Sequence, residues 1–562
     1  MISLRRAARP VQFAVAVGAL SSLAWLQTFV TGLAGRAPRD YPIFDRLFIF
    51  TDDWGAALQV AIVVLVAASG RIRSLGARLA AAIADRPIAT ATVAFVVFAC
   101  GAKFVYHAMP FAMDEFAQLS QAYAFAHGHL SWIEPPDLLD RLIPSGFRDY
   151  FFVVDPESGR VASKYWPGFA VLLAPFAWLG VPWIVNPLLS AATLLVLYRL
   201  VLLHVGSREA AGWAMVLALS SPEFSVNAIS YYAMPAHLLL NLLFAALLLD
   251  GRRASALVAG LLGGLALVLH NPVPHALFAL PWLLWLLWSR RRWPMLLAVV
   301  AGYVPIGLLL GLAWPAYLAG FGSSVIGFSQ AVAPTGAWTL LTRALAATFM
   351  LPSYEMVCAR LYATWKIWIW SAPGVLILAV AGYKVVRGPL RLLAASALVT
   401  YCVFWFVPLD QGHGWGYRYF HTAWGVLPIF GGAFIAAQPL ATPMGAAWRQ
   451  WVGGIALASA VLATSLRFAQ VDEIMDVHLA QRIEAPSSGR WVVFVRYEPG
   501  LYTWDMIQNL PFASAPLILM SLGESEDAAL MAGRFPGAIR TVDDRRGSLW
   551  RLGDPPDSSA KR

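Results

Sequence analysis

Several stretches of this chain stay apolar for longer than a water-soluble core needs. Val11 to Leu33 and Pro294 to Leu318 each reach the roughly 17 to 25 residues with which a helix crosses about 30 Å of hydrocarbon. The runs lack the two-residue alternation of a membrane barrel, and a lipid-exposed span must satisfy its own backbone hydrogen bonds, so they read as helices. Composition agrees: of 562 residues, 59% are hydrophobic and 13% charged. That balance excludes a chain folded around one water-soluble core. The first run follows Arg5, Arg6 and Arg9 as a signal peptide would, but it is longer than an h-region and has no convincing cleavage site. It reads as a retained anchor.

The net charge of +10, from 41 Lys and Arg against 31 Asp and Glu, raises the question of nucleic acid. The placement of the charge answers it. Basic residues gather in short segments between apolar runs: Arg71, Arg73 and Arg78; Arg252 and Arg253; Arg290, Arg291 and Arg292; Lys384, Arg387 and Arg391. Such segments mark the cytoplasmic side of a membrane protein, and no nucleic-acid partner is expected. With them inside, about thirteen crossings run from a cytoplasmic N-terminus to an extracytoplasmic C-terminal segment in the inner (plasma) membrane. Cys100, Cys358 and Cys402 form neither a disulfide framework nor a metal-ligand spacing and are expected to pack as small apolar residues.

The expected fold is therefore an all-α polytopic membrane protein with a small soluble α/β domain at its C-terminus. Residues 1–86 form a two-helix membrane extension, 87–466 the main membrane domain, and 467–562 the soluble domain with a disordered tail. The soluble part has candidate strands at Trp491 to Arg496, Leu517 to Leu522 and Ser548 to Leu552, and a helix at Ser525 to Phe535. It carries no phosphate-binding glycine turn. Two outward loops, 108–167 and 320–362, are far longer than connections usually are, which points to a working role. In the first, Asp114 to Gly128 reads as an amphipathic helix lying along the membrane surface.

That helix opens on Asp114-Glu115. An acidic pair at a helix start ordinarily serves the helix dipole. Here it stands at the outer interface, followed by a polar loop and then by Lys164-Tyr165-Trp166-Pro167-Gly168-Phe169 at the entry to another apolar run. With Gly416-Tyr417-Arg418-Tyr419 before a late span, and with His127-Gly128-His129-Leu130 behind the acidic helix, the chain resembles the GT-C membrane glycosyltransferases. Within them it is similar to the branch of protein O-mannosyltransferases and the lipid A aminoarabinose transferase. The resemblance extends in arrangement over about Pro87 to Pro556. Where many relatives place an acidic residue at the start of a span, this chain has His237.

The resemblance implies a transferase of the cell envelope that moves sugar from a polyprenyl-phosphate donor to a lipid, glycan or protein acceptor on the extracytoplasmic face. It implies Asp114 and Glu115 as catalytic residues, and Lys164, Tyr165, Arg418, Tyr419 and His237 as substrate-binding residues. Glycosyl transfer needs a base for the acceptor and positive groups for the departing phosphate. Asp114 suits the first role, Lys164 and Arg418 the second. Abundant Trp, Phe and Tyr suit an isoprenoid tail, sugar faces and membrane lipids. His270, Asn271 and His275 form an outward cluster without a nearby acidic or thiol partner, so no metal ligand is assigned there. Asp52-Asp53 reads as a solvated turn. Any need for a divalent metal, and the identities of sugar and acceptor, stay open. A transporter or lipid flippase is the alternative; it predicts charges deep in the spans and paired broken helices, and a catalytically dead scaffold is a third reading.

Overall fold

The computed structural model describes residues 2–35, 52–321, 348–407, 415–498, 502–513 and 516–553. Parts of the outward segments 35–54, 320–362 and 409–421, and the tail from 554, lie outside the described residues. Among the described residues, six helices are long and apolar enough to cross a membrane, or nine when each of three bent pairs counts as one span. The molecule is a multi-pass membrane protein, but its helices do not match the thirteen expected crossings one for one. These three helix pairs are sharply bent at a short break. Asp52–Ala68 turns by 100° into Gly70–Asp85, and Pro222–Ile229 by 115° into Met234–Leu249.

The first of these breaks changes the reading of a basic segment. Arg71, Arg73 and Arg78 lie on the Gly70–Asp85 helix, capped by Ser69, rather than in a turn. Its small face of Gly76, Ala80 and Ala84 is buried. A Cβ on Gly76 would stand 2.1 Å from the Gly453 carbonyl oxygen, so only glycine lets the two backbones touch. Gly260 meets Val299 in the same way, a Cβ there lying 2.1 Å from the Val299 carbonyl. Close backbone packing of this kind supplies cohesion where lipid removes the hydrophobic difference between inside and outside.

Two further expectations are corrected. The three cysteines are exposed rather than packed inside; a weakly polar thiol suits a lipid-facing helix surface as well as a core. Asp52 is no solvated turn. It is fully buried, with its carboxylate 2.5 Å from Lys366 Nζ, 3.0 Å from Arg467 Nη2 and 2.8 Å from Trp370 Nε1. The hydroxyl of Tyr362 donates to it at 3.2 Å. Gly55, one turn along, leaves the space that the Arg467 guanidinium fills. The Asp52–Ala68 helix is thus tied by charge to the Tyr354–Ile369 and Thr464–Leu479 helices. Asp52→Asn leaves two buried cations without the one carboxylate they share, and such breaks cost about 3–5 kcal/mol. A lower midpoint of thermal unfolding in detergent is the expected result, and an unchanged midpoint would make the network dispensable.

The 108–167 segment folds into a small structure of its own. The Met113–Ala126 helix is followed by an antiparallel sheet in which Arg160–Ser163 lies between Trp132–Ile133 and Phe152–Val154. That helix does not float on the membrane surface: ten of its residues are buried, Gln118, Ser120 and Gln121 among them. The Gly168–Trp178 helix packs along it, and an apolar cluster on another side joins it to the C-terminal domain. Phe116, Trp132, Leu139, Leu142 and Phe152 share one apolar cluster with Val492, Phe494, Leu519 and Met531. Arg141 pairs with Asp527 at 2.5 Å across the same junction. The domain itself is a four-stranded sheet in which Trp491–Val495 lies between Leu517–Met520, parallel to it, and Gly547–Arg551, antiparallel. The Ile539–Asp544 edge strand had no signal in sequence, since it reads Ile-Arg-Thr-Val-Asp-Asp and is largely exposed.

Candidate active site

Three of the chain segments that line one cavity of about 320 Å³ carry residues implied by the sequence. The Met113–Ala126 helix brings Asp114 and Gln118, the strap after the Arg160–Ser163 strand brings Lys164 and Tyr165, and the helix start at Arg418 brings Arg418 and Tyr419. Of the residues implied by the sequence, Asp114, Lys164, Tyr165, Arg418 and Tyr419 line this cavity; Glu115 and His237 do not. Tyr150, Tyr232, His270 and Asn271 also line it and were not singled out for this role in sequence.

Arg418 Nη1 donates to Asp114 Oδ2 at 2.7 Å, joining residues 304 positions apart. The guanidinium carbon also sits 5.0 Å from the centre of the Tyr232 ring, a cation–π contact that fixes its plane. The other carboxylate oxygen, Asp114 Oδ1, is buried without a hydrogen-bond partner among the described residues. Burial raises the Asp114 pKa above the ordinary aspartate value, and the Arg418 charge opposes that rise. A carboxylate with one oxygen anchored and the other unsatisfied can accept a proton or a donor from a bound molecule.

Glu115 points away from the cavity and is used up by the fold. Its Oε2 accepts the Phe111 backbone N–H at 2.7 Å and its Oε1 the Tyr231 N–H at 2.8 Å, while the Tyr106 hydroxyl donates to Oε1 at 3.0 Å. Burial, and then the charge on Asp114, push its pKa up to about 8, while these donors pull the other way. Its position is that of a clamp which fixes where the Asp114 helix begins.

The strap carrying Lys164 is held from both sides. Gln121 Oε1 accepts the Ser163 N–H at 3.0 Å, and Trp314 Nε1 donates to the Tyr165 carbonyl at 2.9 Å. Gly168 then passes so close to the Val268 carbonyl that a Cβ would lie 2.6 Å from it. The Lys164 ammonium donates to the Asp149 backbone carbonyl, and partial burial lowers its pKa. His237 stands one layer behind the wall: its Nε2 is 3.0 Å from His270 Nδ1, and His270 Nε2 is 2.8 Å from the Asn271 amide nitrogen. His275 is occupied by Asn241 at 2.7 Å and the Tyr303 hydroxyl at 2.6 Å, which makes it a packing residue of the helices.

A residue that sequence reasoning missed holds Arg418 in place. Glu223 is buried at the start of the Pro222–Ile229 helix, where its backbone N–H donates to the Trp370 carbonyl at 2.8 Å. Its carboxylate accepts the Tyr417 N–H at 3.2 Å and lies 2.9 Å from His421 Nδ1. Gly416 has φ +69°, and a Cβ there would lie 1.5 Å from Glu223 Oε2. The turn before Arg418 is therefore wrapped around this carboxylate. An acidic residue within an apolar stretch was the available signal, since such residues are rarely placed without a partner. Beside the first cavity, with Tyr231 common to both, a second of about 760 Å³ opens beneath the C-terminal domain, lined in part by Met109, Phe116, Leu119, Glu134, Arg482 and Asn509.

No family model and no curated protein matches the chain. Among solved structures it is similar to ArnT from Cupriavidus metallidurans in the apo state, at 12% identity and a TM-score of 0.48, over 82% of this chain and 97% of that one. It is also similar to the same protein bound to undecaprenyl phosphate, at 12% identity and a TM-score of 0.50 with the same coverage. The latter likeness shows the fold, which is the GT-C fold of a lipid A aminoarabinose transferase.

Proposed function

We propose that this protein is a membrane glycosyltransferase that takes sugar from a polyprenyl-phosphate donor and passes it to a cell-envelope acceptor on the extracytoplasmic face. The observation that carries this reading is the Asp114–Arg418 pair, with Asp114 Oδ1 unpartnered in a cavity that Lys164 also lines. The similar fold was solved with undecaprenyl phosphate, a carrier of the proposed class. The clusters of Lys and Arg between apolar runs support an outward-facing site through the positive-inside rule.

In the proposed reaction Asp114 Oδ1 takes the proton of an acceptor hydroxyl as its oxygen bonds to the anomeric carbon. The bond from that carbon to the phosphate oxygen breaks, and the polyprenyl phosphate leaves with the electron pair. Arg418 offers a planar fork to the phosphate and Lys164 a point charge. Asp114 is the sole carboxylate among the described lining residues, which favours one direct displacement with inversion at the anomeric carbon over a covalent sugar intermediate. Tyr165, Tyr232 and Tyr419 supply faces on which a sugar ring can rest. The larger neighbouring cavity, part apolar and part polar, suits an acceptor with a lipid portion.

The test is direct. Membranes containing the protein, given a radiolabelled polyprenyl-phosphate sugar, should move label onto a lipid, glycan or protein with inverted anomeric configuration. Label that crosses the membrane while remaining on its carrier would instead establish a flippase. The wrapped turn gives a second check: Gly416→Ala forces a Cβ against Glu223, displaces Arg418 and should lower transfer about tenfold while the protein remains folded. Unchanged turnover would detach Glu223 from the site.

A further inference from the structure

Away from the cavity, the segment leaving the Pro87–Phe104 helix runs beside the Thr464–Leu479 helix, which leads into the C-terminal domain. Three side chains converge there. Asp472 and Asp476 lie one helical turn apart and so share a face. His107, from the opposing segment, points its Nε2 between them, 3.4 Å from Asp472 Oδ1 and 3.4 Å from Asp476 Oδ1. The three ligand atoms all lie within 4.8 Å of one another.

The spacing is informative. A hydrogen-bonded imidazole and carboxylate close to about 2.7–2.9 Å. Here neither contact closes, and His107 Nε2 is a buried atom without a hydrogen-bond partner. Ligands held at about 2.0–2.1 Å around a tetrahedral ion are separated by about 3.3–3.5 Å, and both imidazole–carboxylate separations here match that spacing. Two like charges four residues apart on a helix repel, and a cation between them reverses the sign of that interaction. The donor set of one imidazole nitrogen and two carboxylates suits zinc better than calcium or magnesium, which favour oxygen alone.

We propose that His107, Asp472 and Asp476 form a binding site for one divalent cation of the zinc type, with water completing its coordination on the exposed side. The site is separate from the Asp114 cavity, which none of the three residues lines. Its effect is mechanical. Tyr106, next to His107, donates to Glu115, and the Tyr231 hydroxyl donates to the Ala108 carbonyl at 2.8 Å, so the segment that the ion grips is the one that enters the Asp114 helix. The ion would join that entry to the helix leading into the C-terminal domain.

The full-length protein, purified in detergent without a histidine tag and stripped by a chelator, is titrated with zinc chloride by calorimetry and assayed for bound metal. One zinc per chain is expected, with a higher unfolding midpoint when it is bound and at least a hundredfold weaker competition by calcium or magnesium. The double variant Asp472→Asn with Asp476→Asn should lose the stoichiometric zinc and the midpoint shift. Should that variant fail to fold, His107→Gln changes one partly exposed side chain and should weaken binding at least tenfold. Absence of stoichiometric zinc, or binding that the folded variants leave unchanged, overturns the site and leaves His107 as an ordinary bridge between two aspartates.

Discussion

Replacing Asp114 with asparagine is expected to lower transfer by about 10²- to 10⁴-fold, the range over which a positioned general base contributes. The substitution is informative because it separates the two oxygens of this side chain. An asparagine carbonyl can still accept from Arg418 Nη1, so the 2.7 Å contact that fixes the guanidinium survives in shape. What disappears is the basic oxygen facing the cavity. Donor affinity should change little, or rise, because Arg418 loses its neutralising partner while keeping its place. Glu115→Gln should act differently, loosening the clamp at Phe111 and Tyr231 and lowering stability more than it alters the chemical step. The pH dependence provides the second readout. A base must be ionised, so wild-type transfer falls as pH drops through the Asp114 pKa, and burial places that limb above the ordinary aspartate value near 3.9. The residual activity of Asp114→Asn should not show the limb. A full rate in the purified variant would move the base to another group.

Much of this site was legible because its parts stand in short motifs at the ends of apolar runs. Asp114, Lys164, Tyr165, Arg418 and Tyr419 could each be named from a few neighbouring residues, and the structure brings all five to one cavity. What could not be read is whatever depends on a distant partner. Glu223 looks incidental until Gly416, Tyr417 and His421 fold around it nearly 200 positions later. Asp52 looks like a turn residue until Lys366 and Arg467 arrive from beyond residue 360. His237 looks like a candidate ligand until His270 is seen between it and the cavity. The same limit applies to the fold. Hydropathy marks apolar runs but not the 100° and 115° angles at which neighbouring helices meet. The Met113–Ala126 helix was placed on the membrane surface for a related reason: part of its covering comes from residues some 370 positions further along.

Neutralising Arg418 and Lys164 should produce unequal losses, and the inequality follows from how each is held. Arg418 has its guanidinium in the cavity, oriented by Asp114 and by the Tyr232 ring. A positive group so prepared stabilises charge on the departing phosphate without reorganising, and deleting such a donor costs on the order of 10²- to 10³-fold in turnover. Arg418→Gln should therefore lose that much and bind a polyprenyl-phosphate donor more weakly, and it should also leave Asp114 without its counter-ion. Its acid limb should then move to higher pH, a shift that an anchor for lipid head groups would not cause. Arg418→Lys should rescue little, since a point charge cannot contact Asp114 and phosphate with two fixed forks. Lys164 is tied to the Asp149 carbonyl and partly buried, so part of its role is to shape the strap. Lys164→Gln should cost about tenfold, chiefly through KM, because a flexible cation that helps bind the phosphate acts in the ground state as much as in the transition state. If both variants bind and turn over the donor as the parent does, neither residue handles the phosphate, and the cations of this cavity serve only the fold.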